Sequence, residues 1–205
     1  QEFIPFEREL AVMAARNVTG EIIVYPVVET QQQHQVCHTV IVPADIPKEI
    51  GLQIEAIARQ IMEKLNVVGI FGVELFLTSQ GKVLVNEIAP RTHNSGHYTL
   101  DACFTSQFEQ QLRAVTGLPL GSIALKSAGA VMVNLLGYEN ATSDYQNQRD
   151  RLAKIPKAYV HWYGKNESRL GRKLGHVTVL LEKQELTKAK AIASELERIW
   201  YNLKF

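Results

Sequence analysis

No apolar run in this chain approaches the roughly 18 residues that a membrane span requires, and no basic segment followed by an apolar one opens it. A spanning helix and a cleavable leader are therefore not predicted, and the chain reads as cytoplasmic with no membrane partner. An excess of one charge is also missing. Lys and Arg total 22 against 21 Asp and Glu, a net charge of +1, so no overall basic field exists to draw in nucleic acid. Cysteine is scarce: Cys37 and Cys103 lie far apart without CxxC or metal-ligand spacing, which excludes a disulfide scaffold and predicts two buried, reduced thiols. Internal repeats are lacking, and the only biased tract, Gln31-Gln32-Gln33, reads as a polar turn. What remains is 205 residues with 46% apolar content, enough to bury a substantial core. The opening Gln1-Glu2-Phe3-Ile4-Pro5-Phe6 enters an apolar segment without Met or helix cap, which predicts a chain cut out of something longer.

Segments 10–16, 21–28 and 36–42 are rich in β-branched and apolar residues and predict three antiparallel strands. From Lys48 to Leu65 apolar residues recur at three and four, the period of a helix with one buried stripe. Strands follow at 69–77 and 82–88. A second helix is predicted from near Thr99 to Thr116, with Phe104, Phe108, Leu112 and Val115 on one face and Gly117 as its stop before Pro119. Beyond a boundary in 119–128, strands are predicted at 129–136, 158–163 and 174–181. An amphipathic helix over 187–203 turns Ala191, Ile192, Leu196, Ile199 and Trp200 inward. Helices mixed with mostly antiparallel strands make the fold class α+β.

Two acids sit inside otherwise apolar strands: Glu74 in VELFL and Glu87 in LVNEI. With a four-residue hairpin loop at 79–82, Thr78 faces Val83 and Glu74 lies opposite Glu87. A one-residue slip would put Glu74 opposite Asn86 instead. Like charges across a ladder repel, so the pair calls for compensation. A divalent cation shared with substrate phosphates is one solution; a Glu facing solvent or paired with Arg is the other, and the hairpin alone does not choose. Directly after Glu87 comes IAPRTHNSGH, a donor-dense stretch leaving a strand end beside the acids. That combination suits phosphoryl transfer, in which catalysis is mostly positioning and charge neutralisation.

The run VNEIAPRTHNSGHYTLDAC, followed by TSQFEQQLRAVTGLPLG, resembles the C-terminal half of the N5-carboxyaminoimidazole ribonucleotide synthetases, ATP-grasp enzymes of purine biosynthesis. FIPFERELAVMAAR, YPVVETQQQHQVCHTVIVPA and WYGKNESRLGRKLGHVTVL resemble the same family, so the likeness covers essentially the whole chain. It implies that residues 1–122 form the C-terminal lobe of an ATP-grasp domain and 123–205 a small C-terminal α+β domain, with the N-terminal domain and first lobe absent. It implies ATP and Mg2+ as cofactors. The implied reaction is an ATP- and bicarbonate-dependent carboxylation of the amine of aminoimidazole ribonucleotide through carboxyphosphate, in a full-length homodimer, with the present piece inactive alone.

Residue by residue, the resemblance gives Glu74 and Glu87 to magnesium, with Asn86 beside them, and places Arg91, His93 and Asn94 around bicarbonate, the intermediate and the substrate amine. Gln1 to Ile4 match the hinge that binds adenine, with Gln1 or Glu2 as its polar member. Glu9 matches the acid on the ribose hydroxyls, and Gln32 stands where the family often has a nucleotide-contacting His. GKNESRLGRKLGH resembles the segment on the substrate 5′-phosphate, which assigns Lys165 and Arg172 there. Two other readings stay open at this point: a ribonucleotide-directed ATP-grasp ligase of the formate-dependent glycinamide ribonucleotide transformylase type, and a non-catalytic nucleotide-binding module. Outside this pattern, His34 and His38 fall on a predicted turn and strand and read as surface polarity rather than zinc ligands, and Trp162, Tyr163 and Trp200 read as core.

Overall fold

The segment RELAVMAAR is apolar on both of its alternating faces, which suits a central strand, and it forms β1 (Arg8–Arg16) with six consecutive buried residues. The computed structural model describes residues 4–33 and 36–202. Contacts divide the chain into one unit of Gln1–Thr30 with Val42–Lys126 and another of Gln31–Ile41 with Ser127–Phe205.

In the first unit β1 pairs antiparallel with β5 (Gly69–Leu77) along its whole length, from Arg8 opposite Leu77 to Arg16 opposite Gly69. β6 (Val83–Ala89) extends the sheet beyond β5, while β2 (Ile22–Val24) and the start of β3 (Val28–Gln33) pair with the other side of β1. The expected single strand over 21–28 is thus two, broken at Tyr25-Pro26-Val27, where proline has no N–H to give a ladder. β3 runs on through Gln31–Gln33, so the glutamines are strand rather than turn. α1 (Lys48–Lys64) matches the predicted helix and lays Ile54, Ala58 and Met62 on Leu10, Val12, Ala14, Val73, Leu75 and Leu77. The core of this unit lies on that face. The opposite face carries Glu9, Ala11 and Met13 of β1 and Gly72, Glu74 and Phe76 of β5, the other half of the two-residue alternation.

Where one helix was expected over 99–116 there are two, α2 (Thr99–Ala102) and α3 (Gln107–Thr116). Ser106 caps α3 by accepting from the Glu109 amide at 3.2 Å, and Gly117 ends it at φ +77°. The large apolar residues of this stretch do not turn inward. Phe104, Phe108, Leu112 and Val115 are 64, 38, 63 and 46% exposed, whereas Gln107, Gln110 and Ala114 are buried. The glutamines turn inward because main-chain groups wait for them. Gln110 pairs with both the N–H and the C=O of Gly121, and Gln111 accepts from the Ile70 amide at 2.6 Å.

In the second unit the strand order is β4 (Val36–Val42), β7 (Gly129–Leu136), β9 (Lys173–Leu181), β8 (Ala158–Trp162). β9 pairs antiparallel with both β7 and β8. α4 (Gln146–Ala153), which the sequence reading missed, joins α5 (Leu186–Trp200). Trp200 is fully buried in this core and donates its indole N–H to the Leu136 carbonyl at 2.7 Å. Inward on α5 are Ala189, Ala193, Leu196, Ile199 and Trp200, with Ala191 exposed. Trp162 packs against this core as expected, but Tyr163 is 37% exposed. Cys103 is buried and Cys37 half-buried, and they form no disulfide. Among the described residues no helix is long and apolar enough to cross a membrane.

Candidate active site

The β5–β6 hairpin sets Glu74 opposite Glu87, the pairing expected from the sequence, by a different route. The turn is one residue longer than expected, so Leu77 rather than Thr78 faces Val83 and Leu75 faces Val85. That slip would have brought Asn86 opposite Glu74. A β-bulge after Val85 absorbs Asn86 as an extra residue and restores Glu87 to the rung. Glu9 sits on the next strand opposite Phe76, diagonal to Glu74. Partial burial, and then the charge of Glu74, hold its carboxyl above the ordinary 4.5. Phe76 stacks on Phe6 with ring centroids 4.5 Å apart, an apolar platform beside the Glu9 carboxyl. Ile4 is half-buried; Gln1 and Glu2 lie outside the described residues, as does His34.

The polar loop leaves β6 and folds back over β5. His93 Nε2 lies 3.4 Å from Glu74 Oε1, and its Nδ1 lies 2.8 Å from the Ser95 hydroxyl. Gly72 makes that approach possible, since a Cβ there would stand 2.6 Å from the Cβ of His93. Asn94 opens a 3-10 turn (Asn94–Gly96) and is half-buried; Arg91 is exposed and donates to the Thr92 carbonyl at 3.0 Å. Glu9, Glu74, Glu87, Asn86 and His93 are thus gathered on one face of the first unit, three carboxylates from three adjacent strands beside a donor loop. Of these, Glu74 and Glu87, facing each other across one rung, are hard oxygen donors of the type a divalent cation such as magnesium takes.

In the second unit Lys165 and Arg172 lie on the connection between β8 and β9. Partial burial, followed by the charges of Arg172 and Lys173, pushes the Lys165 ammonium below its ordinary value. Lys165 donates to the Lys173 carbonyl, and Arg172 to the Glu167 carbonyl at 2.8 Å. Gln32 is half-buried in β3. His38 is a correction: its side chain is only 14% exposed, and its Nδ1 lies 3.9 Å from Glu197 Oε1, so it is not surface polarity.

A sequence profile of the ATP-grasp domain matches residues 1–108. The chain belongs to the ATP-grasp family. A second profile, the phosphoribosylaminoimidazole carboxylase C-terminal domain, matches residues 130–190 of this ATP-grasp chain. Over 207 residues it is 55% identical to the N5-carboxyaminoimidazole ribonucleotide synthase of Synechococcus elongatus, covering 98% of the chain and 52% of that relative. Among solved structures, the N5-carboxyaminoimidazole ribonucleotide synthetase of Thermotoga maritima is 48% identical at a TM-score of 0.84, covering 97% of this chain and 53% of that one. The N5-carboxyaminoimidazole synthase of Aspergillus clavatus, solved with ADP and 5-aminoimidazole ribonucleotide, is 32% identical at 0.89, covering 98% and 53%. The chain spans about half the length of the curated relatives it matches.

The sequence reading passed over Gln107, Gly72 and Gly96 as parts of this site. Ser106-Gln107-Phe108-Glu109 carries the S-x-x-E pattern of a helix start, the signal that places Gln107 at the head of α3.

Proposed function

We propose that this chain is the nucleotide- and substrate-facing half of an ATP-dependent carbon–nitrogen ligase that carboxylates the amine of 5-aminoimidazole ribonucleotide. Bicarbonate oxygen attacks the γ-phosphorus of ATP and releases ADP; the ribonucleotide amine then attacks the resulting carboxyphosphate, releasing phosphate and leaving the carboxyamine. One observation carries the reading: Glu74 faces Glu87 on adjacent strands, with Glu9 diagonal to the pair and the Arg91–Asn94 loop beside it. Glu74 and Glu87, with Asn86 in the bulge, would hold magnesium, which neutralises phosphate charge when bound. Glu9 accepts from the ribose hydroxyls beside the Phe6–Phe76 platform, and the resemblance gives Gln1, Glu2 and Ile4 to adenine and Gln32 to the nucleotide. His93, oriented by Glu74 and Ser95, acts with Arg91 and Asn94 on bicarbonate and the substrate amine. Lys165 and Arg172 take the ribonucleotide 5′-phosphate, Arg by its fork.

The likeness to N5-carboxyaminoimidazole ribonucleotide synthases over nearly the whole chain supports residues 1–122 and 123–205 as its domains, and a homodimer in a cytoplasmic setting completes the proposal for a protein of the relatives' length. In such a protein, Glu74→Gln and Glu87→Gln each remove an anionic ligand at constant size, and bicarbonate-dependent ADP release in the presence of the ribonucleotide should fall at least ~100-fold. Near-normal rates in both variants would overturn the assignment.

A further inference from the structure

Gln107 is the first residue of α3, fully buried, and its side chain spends every hydrogen-bonding group on the polar loop. Its Oε1 accepts from the His93 amide at 2.9 Å. Its Nε2 lies 2.8 Å from the His93 carbonyl and 2.8 Å from His97 Nδ1. Main-chain partners fix which end of the amide is which, because a peptide N–H only donates and a peptide C=O only accepts. One Nε2 hydrogen therefore goes to the His93 carbonyl and the second is directed at His97 Nδ1. An amide nitrogen offers no lone pair in return, so Nδ1 of His97 must be the acceptor. Neutral His97 then carries its hydrogen on Nε2.

We infer that Gln107 is a positioning residue of this site, clamping the main chain of His93 and locking His97 in the Nε2–H tautomer, so that His97 presents a hydrogen-bond donor at Nε2 rather than a proton-accepting lone pair. The surroundings are built for that amide. Thr99, also buried, accepts from the Gln107 amide at 2.9 Å while donating to the Gly96 carbonyl at 2.6 Å. Gly96 leaves the room, since a Cβ there would stand 2.6 Å from Gln107 Oε1 and 2.8 Å from Met13 Cγ. Phe108, the next residue of α3, stacks on the His97 imidazole with centroids 5.5 Å apart and planes at 29°, fixing the ring by its face as Gln107 fixes it by its edge. The tautomer follows from geometry alone; its relevance to carboxylation rests on the function proposed above.

The test is a long-range 1H–15N correlation spectrum of the 205-residue chain, with the His97 signals assigned by their absence in His97→Gln. Nitrogen shifts of a bare Nδ1 and a protonated Nε2 are expected in the wild type. In Gln107→Glu a carboxylate can only accept, so Nδ1 should become protonated. A wild-type His97 protonated on Nδ1, or a Gln107→Glu spectrum unchanged from the wild type, would overturn the inference. If Gln107→Glu does not fold, the wild-type spectrum decides by itself. In a protein of the relatives' length, Gln107→Glu should lower kcat on the order of 10-fold or more, with the Michaelis constant for ATP unchanged. Absence of any carboxylation in that wild-type protein would sink the proposed function and leave the tautomer result standing.

Discussion

Replacing Gly72 by Ala places one methyl group where His93 now lies. The added Cβ would stand 2.6 Å from His93 Cβ, 2.8 Å from Cγ and 3.4 Å from Nδ1. Carbon atoms settle about 3.5–4.0 Å apart, so the loop must retreat by about 1 Å. Gly72 is not among the glycines at positive φ, so alanine brings no backbone strain of its own and the whole penalty is steric. Overpacking of this kind costs about 1–3 kcal/mol, offset by about 0.5–1 kcal/mol gained by taking a glycine out of a strand. A net loss near ~1–2 kcal/mol is expected by chemical denaturation of the chain. A 1 Å retreat also carries His93 Nε2 from 3.4 Å to beyond hydrogen-bonding reach of Glu74. In a protein of the relatives' length turnover should then drop by about 100-fold, because displacement of that size undoes positioning. An alanine variant as stable as the wild type, with unchanged His93 resonances and normal turnover, would refute the reasoning.

Gly51 in α1 has open space where a Cβ would go, so Gly51→Ala should stabilise the chain by roughly 0.5–1 kcal/mol in the same denaturation assay. Ser106→Ala removes the cap of α3 and should cost about 1 kcal/mol. Because the folded state holds Glu9 above the ordinary 4.5, its contribution is fully present below that value and is lost as pH rises through the raised one. Glu9→Gln should therefore match the wild type in stability at pH 4 and exceed it at pH 7, measured by denaturant midpoint. Burial pushes the Cys103 thiol up to about 12, so at pH 8 a disulfide reagent should titrate Cys37 first and reach Cys103 only after unfolding.

Where side-chain period and burial coincide, the elements could be read from letters alone. α1, β5 and β9 fall within a residue or two of their expected bounds because each buries the face its apolar residues mark. α3 could not be read that way. Its inward face is polar, since Gln107, Gln110 and Gln111 satisfy main-chain groups of segments distant in the chain, and nothing local announces those partners. The acids were legible because a carboxylate in an apolar strand is conspicuous. The glycines that let His93 and Gln107 approach were not, because a close contact exists only once the chain is folded.

A flat antiparallel ladder seats one residue of each strand per rung. The bulge in β6 changes that ratio at a single place, where Asn86 and Glu87 are set against Glu74 alone. The one extra residue thereby sets an amide-bearing position next to two facing carboxylates. Deleting Asn86 would flatten the ladder yet leave Glu87 facing Glu74. The number of polar side chains at the rung and its charge can therefore be varied independently, by removing one residue in the first case and exchanging one atom for another in the second.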